Sequence, residues 1–224
     1  MAESKETVWN FEDLGFFLGA IVPSYLLAGL LTGAIPAQAA RGLTFQGVLY
    51  ILMLSVLYVL ARLRHGVPFA ESVNWTMQFR GAWYCLLGAP VLALFVSALG
   101  GLLGAPLMPT AVDTLTAEDI PLPVVAVFAV ILGPIFEELV FRGFLQPLFQ
   151  RGHRAWRGII ITSGFFSLLH GAQSAWQWQY LLLLFIAGLA FGITRQRTGS
   201  TAAAFLLHMG FNLTPMASAI LSRG

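Results

Sequence analysis

Glu137 and Glu138 stand side by side in an apolar run, PLPVVAVFAVILGPIFEELVFRGFL, long enough to cross a bilayer. A carboxylate at that depth is costly, so it faces a protein interior or a water-filled cavity and usually carries function. Arg142 follows close behind, and histidines recur in two later apolar segments, at His170 and His208. Acid–base chemistry in a buried, water-accessible site is what these residue types allow.

Helical geometry divides the labour among them. Each residue advances about 100° around an α-helix, so Glu138 and Arg142 share a face while Glu137 lies to one side. Arg142 can pair with Glu138 and hold it ionised and fixed. Glu137 is left without that partner and suits a general acid or base. Gly133-Pro134 lies one turn earlier, where proline kinks the helix and can open space beside Glu137. The alternative is a buried Glu–Arg clamp that only pins helices together.

His170 ends the run GFFSLLH, with Phe166 on its face. His208 and Asn212, in HMGFN, project to one side and can supply two donors to a developing oxyanion, or simply bond two helices. Gly210 between them permits close helix approach, and Gly188 and Gly192 read as a packing face.

Elements must bring these groups together. The chain is 58% hydrophobic and 10% charged over 224 residues. A soluble domain carries about 25% charged residues, so lipid is the expected solvent and the fold class is an all-α polytopic transmembrane bundle. Seven candidate spans fall at about 14–34, 44–61, 82–104, 123–146, 158–172, 179–194 and 200–221. They form one integral-membrane domain over 1–224. The first span reads as retained, because Glu3, Glu6, Glu12 and Asp13 precede it where a cleaved signal would be basic.

With the N-terminus inside, ten of the twelve basic residues fall on the cytoplasmic side, and only Arg41 and Arg223 outside. The chain is therefore expected N-inside and C-outside, with an acidic outer loop carrying Asp113, Glu118 and Asp119. Residues 62–80 read as an amphipathic interfacial helix or a plain loop. Trp156, Trp176 and Trp178 sit where aromatic belts lie. Scattered arginines give no support for nucleic-acid binding, and the lone Cys85 reads as an apolar filler. At 1.5 Å per residue, Glu137, His170, His208 and Asn212 each come about 12–18 Å from the basic side, in one slab expected to open toward the cytoplasm.

These motifs resemble those of the CPBP family of intramembrane proteases, which includes CAAX proteases and bacteriocin-processing enzymes. Glu137-Glu138-Leu-Val-Phe-Arg142 looks like its EExxxR motif, Phe166-Ser-Leu-Leu-His170 its FxxxH motif, and His208-Met-Gly-Phe-Asn212 its HxxxN motif. The resemblance covers roughly residues 120–215, the protease-like core. It implies an endopeptidase of a bacterial plasma membrane acting on a peptide or lipid-modified protein, prenylated or of bacteriocin type. It implies Glu137, Glu138, Arg142, His170, His208 and Asn212 as site residues. Two chemistries stay open. A divalent metal such as zinc would take Glu137, His170 and His208 as ligands. Without any cofactor, Glu137 and His170 would activate water while His208 and Asn212 hold the oxyanion. The competing functions are a non-catalytic membrane scaffold or immunity protein and a proton-coupled transporter. No clear inverted repeat supports the last.

Overall fold

A computed structural model describes residues 7–77, 82–106, 120–152 and 154–221. All regular elements among them are helices: α1 (Phe11–Thr32), α2 (Gln38–Arg64), α3 (Phe69–Ser72), α4 (Ala82–Leu102), α5 (Leu122–Gln150), α6 (Ala155–Leu169), α7 (Trp178–Thr198) and α8 (Thr201–Leu221). Helices satisfy every backbone polar group internally, which lipid demands. Their outer faces are apolar and bare: Leu30 is 79% exposed, Leu63 82% and Leu102 85%. That surface belongs against hydrocarbon, and the protein is a multi-pass integral membrane protein.

Among the described residues, five helices are long and apolar enough to cross a membrane: α1, α2, α4, α5 and α7. These are five of the seven expected spans. Helix α6 has 15 residues and is about 22 Å long, short of a hydrocarbon core of about 30 Å. Its C-terminal end therefore stops at membrane depth. Lys5, Arg80, Arg223 and the acidic loop residues lie outside the described residues.

Successive helices run in alternating directions, which gathers like ends. The start of α1, the end of α2, the α5–α6 connection and the end of α7 share one end of the bundle. Asn10 caps α1 by accepting from the Glu12 and Asp13 backbone N–H groups, while the Asp13 carboxylate accepts from the Asn10 N–H. Buried Asp13 also meets Arg64 Nε at 3.1 Å and His65 Nε2 at 2.9 Å, tying α1 to the end of α2. Arg151 Nη1 donates to Trp9 O at 3.1 Å. Arg62, Arg64, Arg151, Arg154, Arg157, Arg195 and Arg197 all belong to this basic end. Arg142 does not: it is fully buried inside α5, so it is no part of the loop-charge pattern.

Residues 62–77 are not an interfacial helix. Helix α2 continues to Arg64, α3 is a single turn, and the following loop plugs the basic end. Val73 is fully buried against Gly143, where a Cβ would stand 2.8 Å from that of Val73. Trp9 Nε1 donates to Ser72 O at 2.9 Å, Thr201 Oγ1 to Val73 O at 2.6 Å and Ser200 Oγ to Thr76 O. These bonds satisfy loop carbonyls that would otherwise be stranded inside the protein.

Helices α5, α6 and α7 pack tightly. At Gly188 and Gly192 a Cβ would meet Ser163 and Ile159 of α6 at 3.1 and 3.0 Å, which bears out their reading as a packing face. A ladder of α5 side chains reaches α7 at a constant offset: Arg142 to Gly188 O (2.9 Å), Gln146 to Gly192 O (3.1 Å) and Gln150 to Gln196 (2.9 Å). The α5–α6 contact is as close at Gly158, where a Cβ would lie 2.6 Å from Gln146 O. Gly158→Ala is expected to cost about 1–3 kcal/mol, read as a lower Tm in detergent, because the obstructing atom is backbone and cannot turn away.

Candidate active site

Helix α5 is irregular where its chemistry lies. Its turns widen to the π form over Val127–Leu132 and Leu139–Leu145, leaving an α-helical turn, Gly133–Glu138, between them. Such widened turns concentrate at functional sites. The first follows from Pro134. The Gly133 N–H bonds back to Phe128 O, and Pro134 has no N–H to offer the next carbonyl in that register, Ala129 O. Asn212 Nδ2 of α8 supplies the missing donor at 2.8 Å. The expected kink beside Glu137 is thus a widened turn held open by a side chain from another helix. Asn212→Leu should strand Ala129 O and cost about 1–3 kcal/mol, seen as a drop in Tm.

The short α6 delivers His170 as the residue just past its last turn. His170 Nδ1 lies 2.7 Å from Phe166 O. A carbonyl only accepts, so Nδ1 carries the hydrogen and Nε2 faces Glu137 Oε1 at 3.7 Å. The turn beyond is closed by Trp176 N–H to Gly171 O (2.8 Å) and by Ser174 Oγ to His170 O (3.1 Å).

His208 enters from α8. Its Nδ1 lies 2.9 Å from Glu138 Oε1, the oxygen that also accepts from Arg142 Nη1 at 3.1 Å. Its Nε2 then faces Glu137 Oε2 at 3.7 Å. Phe191 stacks on the imidazole, with centroids 4.3 Å apart and planes 18° apart, and Phe166 meets it edge-on at 5.7 Å. Arg142 is enclosed by the rings of Phe141, Phe166 and Phe191, 4.9–5.6 Å from their centroids. Glu138 and Arg142 are fully buried and His208 is 3% exposed, so this cluster is a fixed layer. Gly210, about half a turn from both His208 and Asn212, faces α4 with a hypothetical Cβ 2.6 Å from that of Ala89, the close approach expected of it.

Above that layer is a cavity of about 640 Å³, lined among others by Glu137, His170, His208 and Asn212. The structure therefore brings four of the six named residues to one hollow and places Glu138 and Arg142 directly behind it. Its lining comes from the first half of α2, the first half and middle of α5, the middle of α7, the end of α6 and the middle of α8. His170 lies just past the end of α6, not midway along a full crossing.

Motif reading missed Gln46 and Tyr50 of α2 and Gln173 of the turn after α6, all of which line the cavity. Gln46 Nε2 donates to Tyr50 Oη at 2.5 Å, and Tyr50 stacks on Phe136 at 4.0 Å between centroids. Two polar residues four apart in an apolar helix were the available signal. Among the described residues, no group of three or more His, Cys, Asp or Glu side chains is placed to hold a metal ion. Glu137, His170 and His208, the candidate ligands, do not form such a set in this structure.

The comparisons with known proteins bear on the class of this multi-pass helical bundle. A domain described as Type II CAAX prenyl endopeptidase Rce1-like is found at residues 119–214, which bears out the family resemblance and takes in all six motif residues. The chain is 33% identical over 131 residues to a protein of Escherichia coli named "Uncharacterized 24.3 kDa protein". That similarity covers 55% of this chain and 58% of the relative. No solved structure matches.

Proposed function

We propose that the protein is an intramembrane endopeptidase in which Glu137 activates a water molecule. The supporting observation is the placement of Glu137 between two imidazole Nε2 atoms, each 3.7 Å away and each fixed through its own Nδ1 contact. Direct hydrogen bonds do not span 3.7 Å, but a water beside each line reaches both groups at about 2.8 Å.

In this reading the water gives a proton to Glu137 and its oxygen bonds to the scissile carbonyl carbon. His170 Nε2 accepts the water's second hydrogen bond and orients it. Charge gathers on the carbonyl oxygen, where His208 donates from Nε2 when that nitrogen carries a proton, backed by Glu138. Glu138 and Arg142 act by positioning His208. Asn212 has one amide hydrogen committed to Ala129 O and a second that can reach the cavity. The carbon–nitrogen bond then breaks, and Glu137 returns its proton to the leaving amine. The substrate is a membrane-associated protein or peptide, and the location a bacterial plasma membrane.

Cleavage by purified protein in detergent is expected to persist after chelation and dialysis. Loss under chelator, restored by zinc, would instead assign Glu137, His170 and His208 as ligands.

A further inference from the structure

We propose that Tyr50 of α2 is a further catalytic residue, whose phenol O–H donates a hydrogen bond to the oxyanion of the tetrahedral intermediate. The inference rests on the endopeptidase reading, and it starts from a shortage of donors around Glu137. His170 Nδ1 commits its hydrogen to Phe166 O at 2.7 Å. His208 Nδ1 commits its hydrogen to Glu138 Oε1 at 2.9 Å, since a carboxylate paired with Arg142 only accepts. A neutral imidazole has one N–H, so both Nε2 atoms that face Glu137 are bare acceptors until a proton is added. The Glu137 carboxylate is a third acceptor. Three acceptors can hold and deprotonate a water, but none of them can stabilise the negative charge that then gathers on the carbonyl oxygen. That oxygen needs donors fixed in place beforehand.

Among the described residues, the neutral side-chain donors on the cavity wall are the amides of Gln46, Gln173 and Asn212 and the phenol of Tyr50. Asn212 gives one amide hydrogen to Ala129 O, and Gln173 sits in the exposed turn beyond α6. Gln46 Nε2 donates to Tyr50 Oη at 2.5 Å. That contact fills an acceptor position of the phenol and leaves its own hydrogen uncommitted among the described residues. The ring cannot swing away. It stacks on Phe136, the neighbour of Glu137 in α5, with centroids 4.0 Å apart and planes 10° apart. About one turn earlier α2 meets α5 closely, for a Cβ at Gly47 would stand 3.4 Å from the Phe128 ring. Leu43, Gln46 and Tyr50 recur at spacings of three and four, so one stripe of α2 forms this wall. A phenol pinned by an amide and a ring, with a hydrogen to spare, is a preorganised donor. It keeps its proton throughout and shares the charge without taking it.

Tyr50→Phe keeps the ring and its stack on Phe136 and removes only the hydroxyl. Steady-state kinetics of the purified protein on an apolar peptide are expected to show kcat lowered about 10²–10³-fold, the loss for one oxyanion donor, with KM changed less than about threefold and the pH profile of kcat unmoved. A kcat within about threefold of the parent's overturns the inference and leaves the endopeptidase reading standing. A raised KM at constant kcat overturns it too, by placing Tyr50 in uniform substrate binding. A displaced acid limb with the plateau kcat intact also overturns it, by showing that the phenol acts through Glu137 and not on the oxyanion. Gln46→Leu removes the anchor and keeps the phenol, so a smaller fall of about tenfold is expected, the worth of one hydrogen bond. A larger fall than that of Tyr50→Phe would assign the donor to Gln46 and overturn the inference. No cleavage by the parent protein sinks the endopeptidase reading, and the inference with it.

Discussion

Glu137→Gln is expected to lower kcat by about 10²–10⁴-fold, the contribution of a positioned proton-transfer group, with little change in Tm. The amide keeps the size and polarity of the side chain but cannot take a proton from water. Because Glu137 and His170 would act on one water, their losses should not add. The double variant Glu137→Gln/His170→Ala is expected to be no slower than Glu137→Gln alone, within about threefold, as for groups working as one unit. Kinetics of the purified variants on a common peptide measure this. Additive losses would place the two side chains in separate steps.

Arg142→Met should damage stability more than any substitution in the cavity wall. It leaves Glu138 fully buried with His208 as its remaining partner, and removes the bond to Gly188 O. Breaking a buried ion pair from one side costs about 3–5 kcal/mol, since a charge is left uncompensated. Thermal unfolding in detergent is expected to show a large fall in Tm. Glu138→Gln/Arg142→Met should recover part of it, because no lone charge remains. A double variant less stable than Arg142→Met would argue that Arg142 contributes through its aromatic enclosure and not through Glu138.

Much of this site was legible before any coordinates. The i, i+4 spacing of Glu138 and Arg142 encodes their pairing directly, since four residues return the helix to one face. Gly188 and Gly192 announced close packing by lacking side chains. Two things were not legible. Asn212 satisfies a carbonyl orphaned by Pro134, a relation between α8 and α5 that no local pattern contains. The other is the end of α6 at Leu169: the turn that follows, largely exposed in the fold, carries no proline to mark the stop. The plug at residues 69–77 resembles an interfacial segment only in composition: Trp9, Ser200 and Thr201 donate to its backbone carbonyls, which side-chain polarity does not report.

Mass-spectrometric mapping of new peptide termini is the most direct test. Purified protein and its Glu137→Gln variant are incubated in detergent with a library of apolar peptides. New termini at defined bonds, formed by the parent protein and absent with the variant, are expected. Equal cleavage by both would show that the carboxylate between the two imidazoles is not the base, and contradict the account at its centre.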